Sequence, residues 1–264
     1  MVKEMKFKDI RFGPAGLGGV EEAVFNLEAF HKLGLKACEI AFTYGVYIKS
    51  EKDIKKIKET AERLGIKLSI HAPYFINLNS DDKQKIEASK KRILDCCRVG
   101  EQLGAYLVVF HPGFYGKMSK QETYENLKKE IIEIRDEIKK NKWKINIAAE
   151  TTGKINVFGS VEEIAQLVKD TGCSFVLDFA HILAREKTVD YDKIKKMFDK
   201  YKSWHCHFSG IDYGEKGEKN HKKTDKKDWK GLIKNLPKDK EIVIINESPY
   251  PIEDSVEGLN ILKD

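Results

Sequence analysis

The sequence predicts an α/β protein that folds as a single (β/α)8 TIM barrel, with residues 1–264 forming one domain and a metal site at the C-terminal ends of the strands. Three observations lead to this prediction. Short β-rich segments alternate with longer helical segments eight times along the chain. The length of 264 residues is typical of one such barrel. Finally, ionisable side chains lie at the ends of six consecutive predicted strands, on the face where barrel enzymes place their active sites.

The eight predicted strands are short, apolar and rich in β-branched residues, which is typical of parallel strands that are covered on both faces. They are IRFG at 10–13, ACEIAF at 37–42, KLSIH at 67–71, YLVVFH at 106–111, KINIAAE at 144–150, SFVLD at 174–178, WHCHFS at 204–209 and EIVIINE at 241–247. Eight βα units in series favour a closed barrel, and a doubly wound open sheet is the alternative.

The segments between the strands carry apolar residues at the three- and four-residue spacing of helices. Examples are VEEAVFNLEAFHKLG, QETYENLKKEIIEIRDEIKKN and SVEEIAQLVKDTG. Gly34, Gly65, Gly104 and Gly172 stand where these helices should end, as residues in the left-handed conformation do. The most polar irregular stretch, 210–227, follows the seventh strand, where a barrel would place an active-site loop.

Composition indicates a globular protein, with 41% hydrophobic and 34% charged residues. No apolar run reaches the roughly 20 residues that span a bilayer, so we expect no membrane association and a cytoplasmic location. The five cysteines form no CxxC pair, which favours reduced thiols over a disulfide framework. The net charge of +6 is compatible with a polyanionic partner, although most lysines alternate with glutamates on predicted helices, as solvated faces do.

The residues that carry chemistry lie at or just after the strand ends. Strands three to eight present His71, His111, Glu150, Asp178, His207 and Glu247, and the loops add His181 and His221. One such residue alone would more often be structural. Six together would be expensive to bury without a compensating cation, so the pattern predicts a cluster that binds at least two divalent metal ions. Imidazole and carboxylate ligands suit zinc, with manganese, cobalt or iron as alternatives.

His205 precedes His207 by two residues and therefore faces the same side of the seventh strand. We expect it to lie deeper in the barrel, behind the metal ligands or in the packing, rather than among the ligands themselves.

At these residues the chain resembles the endonuclease IV family of apurinic/apyrimidinic DNA repair nucleases, within the xylose-isomerase-like barrels, over nearly its whole length. The matching segments are HAPYFINL at 71–78, His111-Pro112-Gly113, Glu150-Thr151-Thr152-Gly153, Asp178-Phe179-Ala180-His181, His207 and Glu247-Ser248-Pro249. The resemblance implies that His71 and His111 hold a first zinc ion. It also implies that Glu150 bridges to a second ion, which Asp178, His207 and Glu247 hold.

The resemblance assigns His181 and His221 to a third ion, and there the chain departs from the family. Lys219-Asn220-His221 stands where the family has Asp-x-His, and KKTDKKDWK follows instead of a glycine-containing stretch. Two hypotheses follow. Either Glu218 replaces the missing ligand, or the Lys219 ammonium takes the electrostatic role of the ion.

The reaction implied by the resemblance is hydrolysis of the phosphodiester 5′ to an abasic site in double-stranded DNA, by a metal-bound hydroxide, with Glu150 as the bridging catalytic residue. Tyr74 and Phe75 would fill the gap left by an extruded abasic nucleotide, or else pack over the barrel mouth. Lys219 and neighbouring lysines would contact phosphates, and the protein would act as a monomer.

Two other functions remain open from the sequence. A sugar isomerase or epimerase of the same barrel group would need one metal, held by Glu150, Asp178, His207 and Glu247, but it has no evident use for the additional histidines as ligands. A metal-containing DNA-binding relative that has lost catalysis is the other alternative, and Lys219 motivates it.

Overall fold

A computed structural model describes residues 7–263, and its centre is a sheet of eight parallel strands. The strands are β1 (Asp9–Pro14), β2 (Ala37–Ala41), β3 (Lys67–His71), β4 (Leu107–Phe110), β5 (Asn146–Glu150), β6 (Ser174–Asp178), β7 (Ser203–Phe208) and β8 (Glu241–Asn246). From β2 to β8 each strand is hydrogen-bonded to the next one in the chain, and β8 pairs with β1. All eight predicted strands are therefore confirmed.

The sheet closes where β1 meets β2. The Gly16 N–H donates a hydrogen bond of 2.7 Å to the Glu39 carbonyl. Gly13 allows this close approach, because a Cβ at its position would lie 1.8 Å from the Ala37 carbonyl oxygen. The closed barrel is thus confirmed over the doubly wound open sheet.

Helices cover the outside of the barrel within the described residues. They are α1 (Ala23–Lys32), α2 (Glu51–Leu64), α3 (Lys83–Leu103), α4 (Lys120–Lys140), α5 (Val161–Thr171), α6 (Phe179–Glu186), α7 (Tyr191–Phe198), α8 (Lys226–Asn235) and α9 (Pro251–Lys263). Gly34, Gly65, Gly104 and Gly172 all have positive φ where helices end, as predicted. Across residues 7–263, no helix combines the length and the apolar character that crossing a membrane requires.

The stretch predicted to be irregular after β7 is instead ordered. An antiparallel hairpin pairs Gly210–Gly214 with Gly217–Lys222, and α8 begins at Lys226. The prediction was wrong because most of the hairpin's residues are polar and solvent-exposed, so the sequence lacks the alternating apolar pattern of a half-buried strand.

The side chains of the barrel strands alternate between two layers. In β3, Leu68 and Ile70 join the large apolar core, whereas Ser69 and His71 contact acidic side chains from β2 and β5. Because the side-chain period of a strand is two, the strand-end histidines and carboxylates all turn toward the barrel axis. This alternation is what brings the candidate site together.

Candidate metal centre

Glu150 lies at the middle of the cluster and is completely buried. Its Oε2 is 3.2 Å from His71 Nε2 and 3.0 Å from His111 Nε2. Its Oε1 is 3.1 Å from His207 Nδ1 and 3.3 Å from His181 Nδ1. One carboxylate therefore contacts four histidines from four different segments of the barrel.

The ligand atoms around Glu150 fall into two groups, in each of which they lie within 4.8 Å of one another. The first ligand group consists of His71, His111 and Glu150, and the second consists of Glu150, Asp178, His207 and Glu247. The two groups share Glu150. This arrangement is suited to holding two ions side by side with one bridging carboxylate.

Backbone contacts orient several of these side chains. His71 Nδ1 lies 2.7 Å from the Ala72 carbonyl oxygen, to which it can donate, so that Nε2 faces Glu150. The Asp178 carboxylate caps α6 by accepting the His181 N–H at its Oδ1, at 2.7 Å, which leaves Oδ2 facing the cluster. Such secondary contacts fix the rings and carboxylates in the orientation that a metal ion requires.

A third ligand group, formed by His181, Glu218 and His221, lies where the hairpin after β7 meets the start of α6. Glu218 Oε2 is 3.6 Å from His181 Nε2, and its Oε1 is 4.0 Å from His221 Nε2. Of the two hypotheses for this position, the structure favours Glu218. Lys219 is exposed and its side chain runs beside Gly214, so its ammonium does not point toward the two histidines.

The packed carboxylates and imidazoles shift one another's pKa. Burial alone would lower the pKa of His71, but its hydrogen bond with Glu150 and the charge of that carboxylate raise it to about 9. Burial also works against the charged forms of His181 and His207, yet nearby carboxylates hold the pKa of both rings well above the usual range. Burial would raise the pKa of Glu150, but the charges of His111 and His207 hold it well below normal.

The donor set fits divalent metal ions. His111 Nε2 and Asp178 Oδ2 are buried, and neither has an aligned hydrogen-bond partner among the described residues. An ion at each of the first two groups would supply the missing partner. Nitrogen and oxygen ligands of this kind suit zinc and also manganese, cobalt or iron.

Sequence reasoning missed Glu39, which is fully buried beneath the second ligand group. Its Oε1 lies 2.9 Å from His207 Nε2 and its Oε2 lies 3.1 Å from His205 Nε2. Burial would raise the pKa of Glu39, but the charge of His207 and the hydrogen bond with His205 hold it well below normal. The sequence did contain a sign of it: a glutamate in the middle of the apolar strand ACEIAF, which is costly to bury without partners. His205 itself lies deeper than His207, as expected.

A cavity of about 500 Å³ opens above the cluster at the C-terminal ends of the strands. Tyr74 lines it, with its ring centroid 5.1 Å from that of His71 and 52% of its surface exposed. Phe75 is 49% exposed but turns away and packs against the Arg92 guanidinium, 4.7 Å from the ring centroid. Of the three predicted DNA contacts, only Tyr74 faces the cavity, since Lys219 also lies outside it.

Comparison with known proteins identifies relatives of this chain and of its fold. The uncharacterised protein MJ0133 of Methanocaldococcus jannaschii is 36% identical over 260 residues, which covers 93% of this chain and 94% of that protein. An apurinic-apyrimidinic endonuclease of Caenorhabditis elegans is 24% identical over 283 residues, covering 93% of this chain and 68% of that protein.

Among solved structures, three similar ones cover 96% of this chain. SacUVDE aligns with a TM-score of 0.77 at 14% identity over 98% of its chain. Endonuclease IV of Thermus thermophilus gives 0.72 at 20% identity over 97% of its chain. D-psicose 3-epimerase of Clostridium cellulolyticum gives 0.70 at 15% identity over 98% of its chain. The fold is therefore common to endonucleases and sugar epimerases.

A family model described as xylose isomerase-like TIM barrel matches residues 27–264. Since this match extends over most of the chain and agrees with the closed eight-stranded sheet, the protein belongs to the xylose isomerase-like TIM barrel family.

Proposed function

We propose that this protein is a metal-dependent endonuclease that hydrolyses the phosphodiester 5′ to an abasic site in double-stranded DNA. The observation that carries the proposal is the pair of ligand groups that share Glu150, with the third group of His181, Glu218 and His221 beside them. Phosphodiester hydrolysis benefits from several ions. When bound, they would activate water near neutral pH and neutralise charge on the leaving oxygen.

The protein's own residues would divide the work. Glu150 would contribute to both of the first two groups, because its Oε2 faces His71 and His111 and its Oε1 faces His207. His71 and His111 would hold the first ion. Asp178, His207 and Glu247 would hold the second ion. Tyr74 would stack at the cavity mouth, where a nucleotide without a base leaves space beside its neighbours.

Charge on the rim supports a polyanionic substrate. The net charge is +6, and Lys154 lines the cavity with an exposed side chain. Lys216 and Lys223 are exposed on and just after the hairpin, whereas Lys222 is paired with Asp212 at 2.7 Å. The exposed ammonium groups of Lys154, Lys216 and Lys223 would contact phosphates flanking the lesion, and such contacts weaken as salt rises.

A sugar epimerase is the second candidate, because the second ligand group alone provides the Glu, Asp, His and Glu set of a one-metal site, and an epimerase shares the fold. The first and third groups count against it, since a one-metal site leaves five further ligand positions without a function. The hypothesis of a DNA-binding protein that has lost catalysis was based on Lys219. That basis is removed, because the Lys219 side chain lies beside Gly214 and away from the third group.

The experiment that tests the proposal uses a duplex with one tetrahydrofuran abasic analogue and an otherwise identical undamaged duplex. We expect incision 5′ to the analogue that a chelator abolishes and added zinc or manganese restores. Bound ions, counted by elemental mass spectrometry, should number two or three. One bound ion with no incision, together with turnover of a ketohexose, would establish the epimerase instead.

A matched pair of variants ties the activity to the site. His71→Ala removes a ligand of the first group and should abolish incision. His31→Ala changes an exposed histidine on α1 and should leave incision intact. Equal incision by both variants would contradict the assignment.

A further inference from the structure

The two ring nitrogens of His207 face two different acidic environments. Nδ1 donates a hydrogen bond of 3.1 Å to Glu150 Oε1 and lies 3.4 Å from Glu247 Oε1, within the second ligand group, where a bound ion would take the place of the Nδ1 proton. Nε2 points the opposite way, into the barrel, and lies 2.9 Å from Glu39 Oε1. A neutral imidazole has one protonated and one free nitrogen, so whichever nitrogen keeps the proton decides which one can bind an ion.

Glu39 is held in place by a chain of buried hydrogen bonds. Ser69 Oγ donates to Glu39 Oε2 at 2.7 Å, and the Tyr106 hydroxyl is hydrogen-bonded to His205 Nδ1. With Tyr106 donating to Nδ1, His205 carries its own proton on Nε2 and donates it to Glu39 Oε2 at 3.1 Å. Both donors bind the same oxygen, which leaves Glu39 Oε1 for His207.

The contact between Glu39 and His207 acts mainly through charge. Both Glu39 Oε1 and His207 Nε2 are buried, and neither has an aligned hydrogen-bond partner among the described residues, although they lie only 2.9 Å apart. A carboxylate at this distance favours a proton on the facing nitrogen, particularly in a buried site.

We infer that Glu39 is a positioning residue: its carboxylate keeps a proton on Nε2 of His207 and so reserves Nδ1 for the ion shared with Glu150, Asp178 and Glu247. The inference rests on the proposed function only in requiring an ion at the second ligand group. Carboxylates behind metal-binding histidines orient the ring and increase its basicity, and their removal lowers metal affinity about 10- to 100-fold.

Glu39, His205 and His207 could alternatively be ligands of an ion of their own, since their ligand atoms lie within 4.8 Å of one another. The hydrogen bonds argue against this. His205 Nε2 already donates to Glu39 and its Nδ1 already accepts from Tyr106, so an ion would have to break a satisfied buried bond.

The test is Glu39→Gln, which keeps the size of the side chain and removes its charge. Zinc titration against a competing chelator should show the second ion bound about 10- to 100-fold more weakly. At saturating zinc, the variant should bind as many ions as the wild type. The matched control is Glu101→Gln, a half-buried carboxylate on α3 that accepts the Lys144 and Ile145 N–H groups at 2.8 and 3.0 Å, before the start of β5 and so at the opposite end of the barrel, and its zinc affinity should equal that of the wild type.

Nitrogen-15 NMR of the imidazole rings gives a readout that a purely structural role would not change. In the zinc-loaded wild type, His207 should show a protonated Nε2 and a metal-bound Nδ1. In Glu39→Gln this pattern should weaken or reverse. Wild-type zinc affinity and an unchanged His207 ring in the variant would overturn the inference, and so would the loss of one ion at saturating zinc, which would make Glu39 a ligand.

Ser69→Ala provides a second variant if Glu39→Gln does not fold, because it removes only the hydroxyl that fixes Oε2. It should weaken the second ion in the same direction, and an unchanged affinity would count against the inference. The experiments distinguish a failure of the positioning role of Glu39 from a failure of the proposed nuclease function. A wild type that binds its ions but does not incise DNA refutes the nuclease, whereas an incising wild type with an unaffected Glu39→Gln refutes the positioning role.

Discussion

Zinc binding at the first ligand group should release protons, and His71 sets the pH range of that release. The Nε2 of this ring lies 3.2 Å from Glu150 Oε2, and the carboxylate raises its pKa to about 9 against the effect of burial. An ion binds only the neutral ring, so below pH 9 binding must displace this proton. The apparent zinc affinity should therefore rise about tenfold per pH unit, and about 100-fold between pH 7 and pH 9.

Calorimetric titration of zinc in buffers of different protonation enthalpy measures both the affinity and the number of protons released. At pH 7 at least one proton should leave with the first ion, and fewer should leave as the pH passes 9. His71→Ala should lose this first binding event, whereas His31→Ala should titrate like the wild type. An affinity that stays constant from pH 7 to pH 9, with no proton release, would refute the reasoning.

The stability of the metal-free protein provides a second test of the His71 proton. Zinc affinity should rise with pH, whereas this stability should fall. The folded-state pKa of His71, about 9, exceeds its ordinary value of 6.5. Its interaction with Glu150 is therefore fully stabilising below pH 6.5 and is lost as the pH rises through about 9. Urea unfolding should show the metal-free protein losing stability across this range, and the loss should be smaller in His71→Ala.

Three further outcomes follow from the geometry. Glu218→Ala should remove or weaken the third ion, whereas Lys219→Ala should leave the number of ions unchanged, as elemental analysis would show. Gly13→Ala should destabilise the fold by about 3 kcal/mol or more in urea unfolding, because its Cβ would overlap the backbone of β2. Tyr74→Ala should reduce binding of abasic duplex about tenfold in a fluorescence titration, whereas Phe75→Ala, which faces Arg92, should have little effect.

The barrel could be predicted because each strand has a recognisable local sequence pattern. SFVLD and KLSIH are short apolar runs between helical segments, and their bounds in the structure are those predicted. The helix ends could also be predicted from the glycine positions, and Gly65, Gly104 and Gly172 all adopt the left-handed conformation there. Closure between β1 and β2 was inferred from the count of units, and the structure shows the close contact at Gly13 that makes it possible.

The site was predictable where a residue stands at a strand end and was missed where it stands one layer deeper. Glu39 lies two residues before the end of β2, so it faces the barrel axis below the plane of the other ligands. Its partners, Ser69, Tyr106 and His205, come from three other strands or strand ends, and their proximity depends on the stagger of the closed barrel. The hairpin that carries Glu218 could not be predicted from a local sequence pattern either, because its pairing buries little apolar surface.

The charge inside the barrel bears on how many ions the site needs. Four acidic side chains surround His207. Glu150, Asp178 and Glu247 belong to its ligand group, and Glu39 contacts its other ring nitrogen. All of them except Glu247 are completely buried. Four negative charges are balanced by two divalent ions with neutral histidines. A single ion would leave two charges to be met by protonated rings, which would then no longer serve as ligands. The same carboxylates hold the pKa of His71, His181 and His207 above the usual range against the effect of burial. Two ions therefore match the inner charge with every histidine neutral and able to act as a ligand, as the proposed multinuclear hydrolase requires.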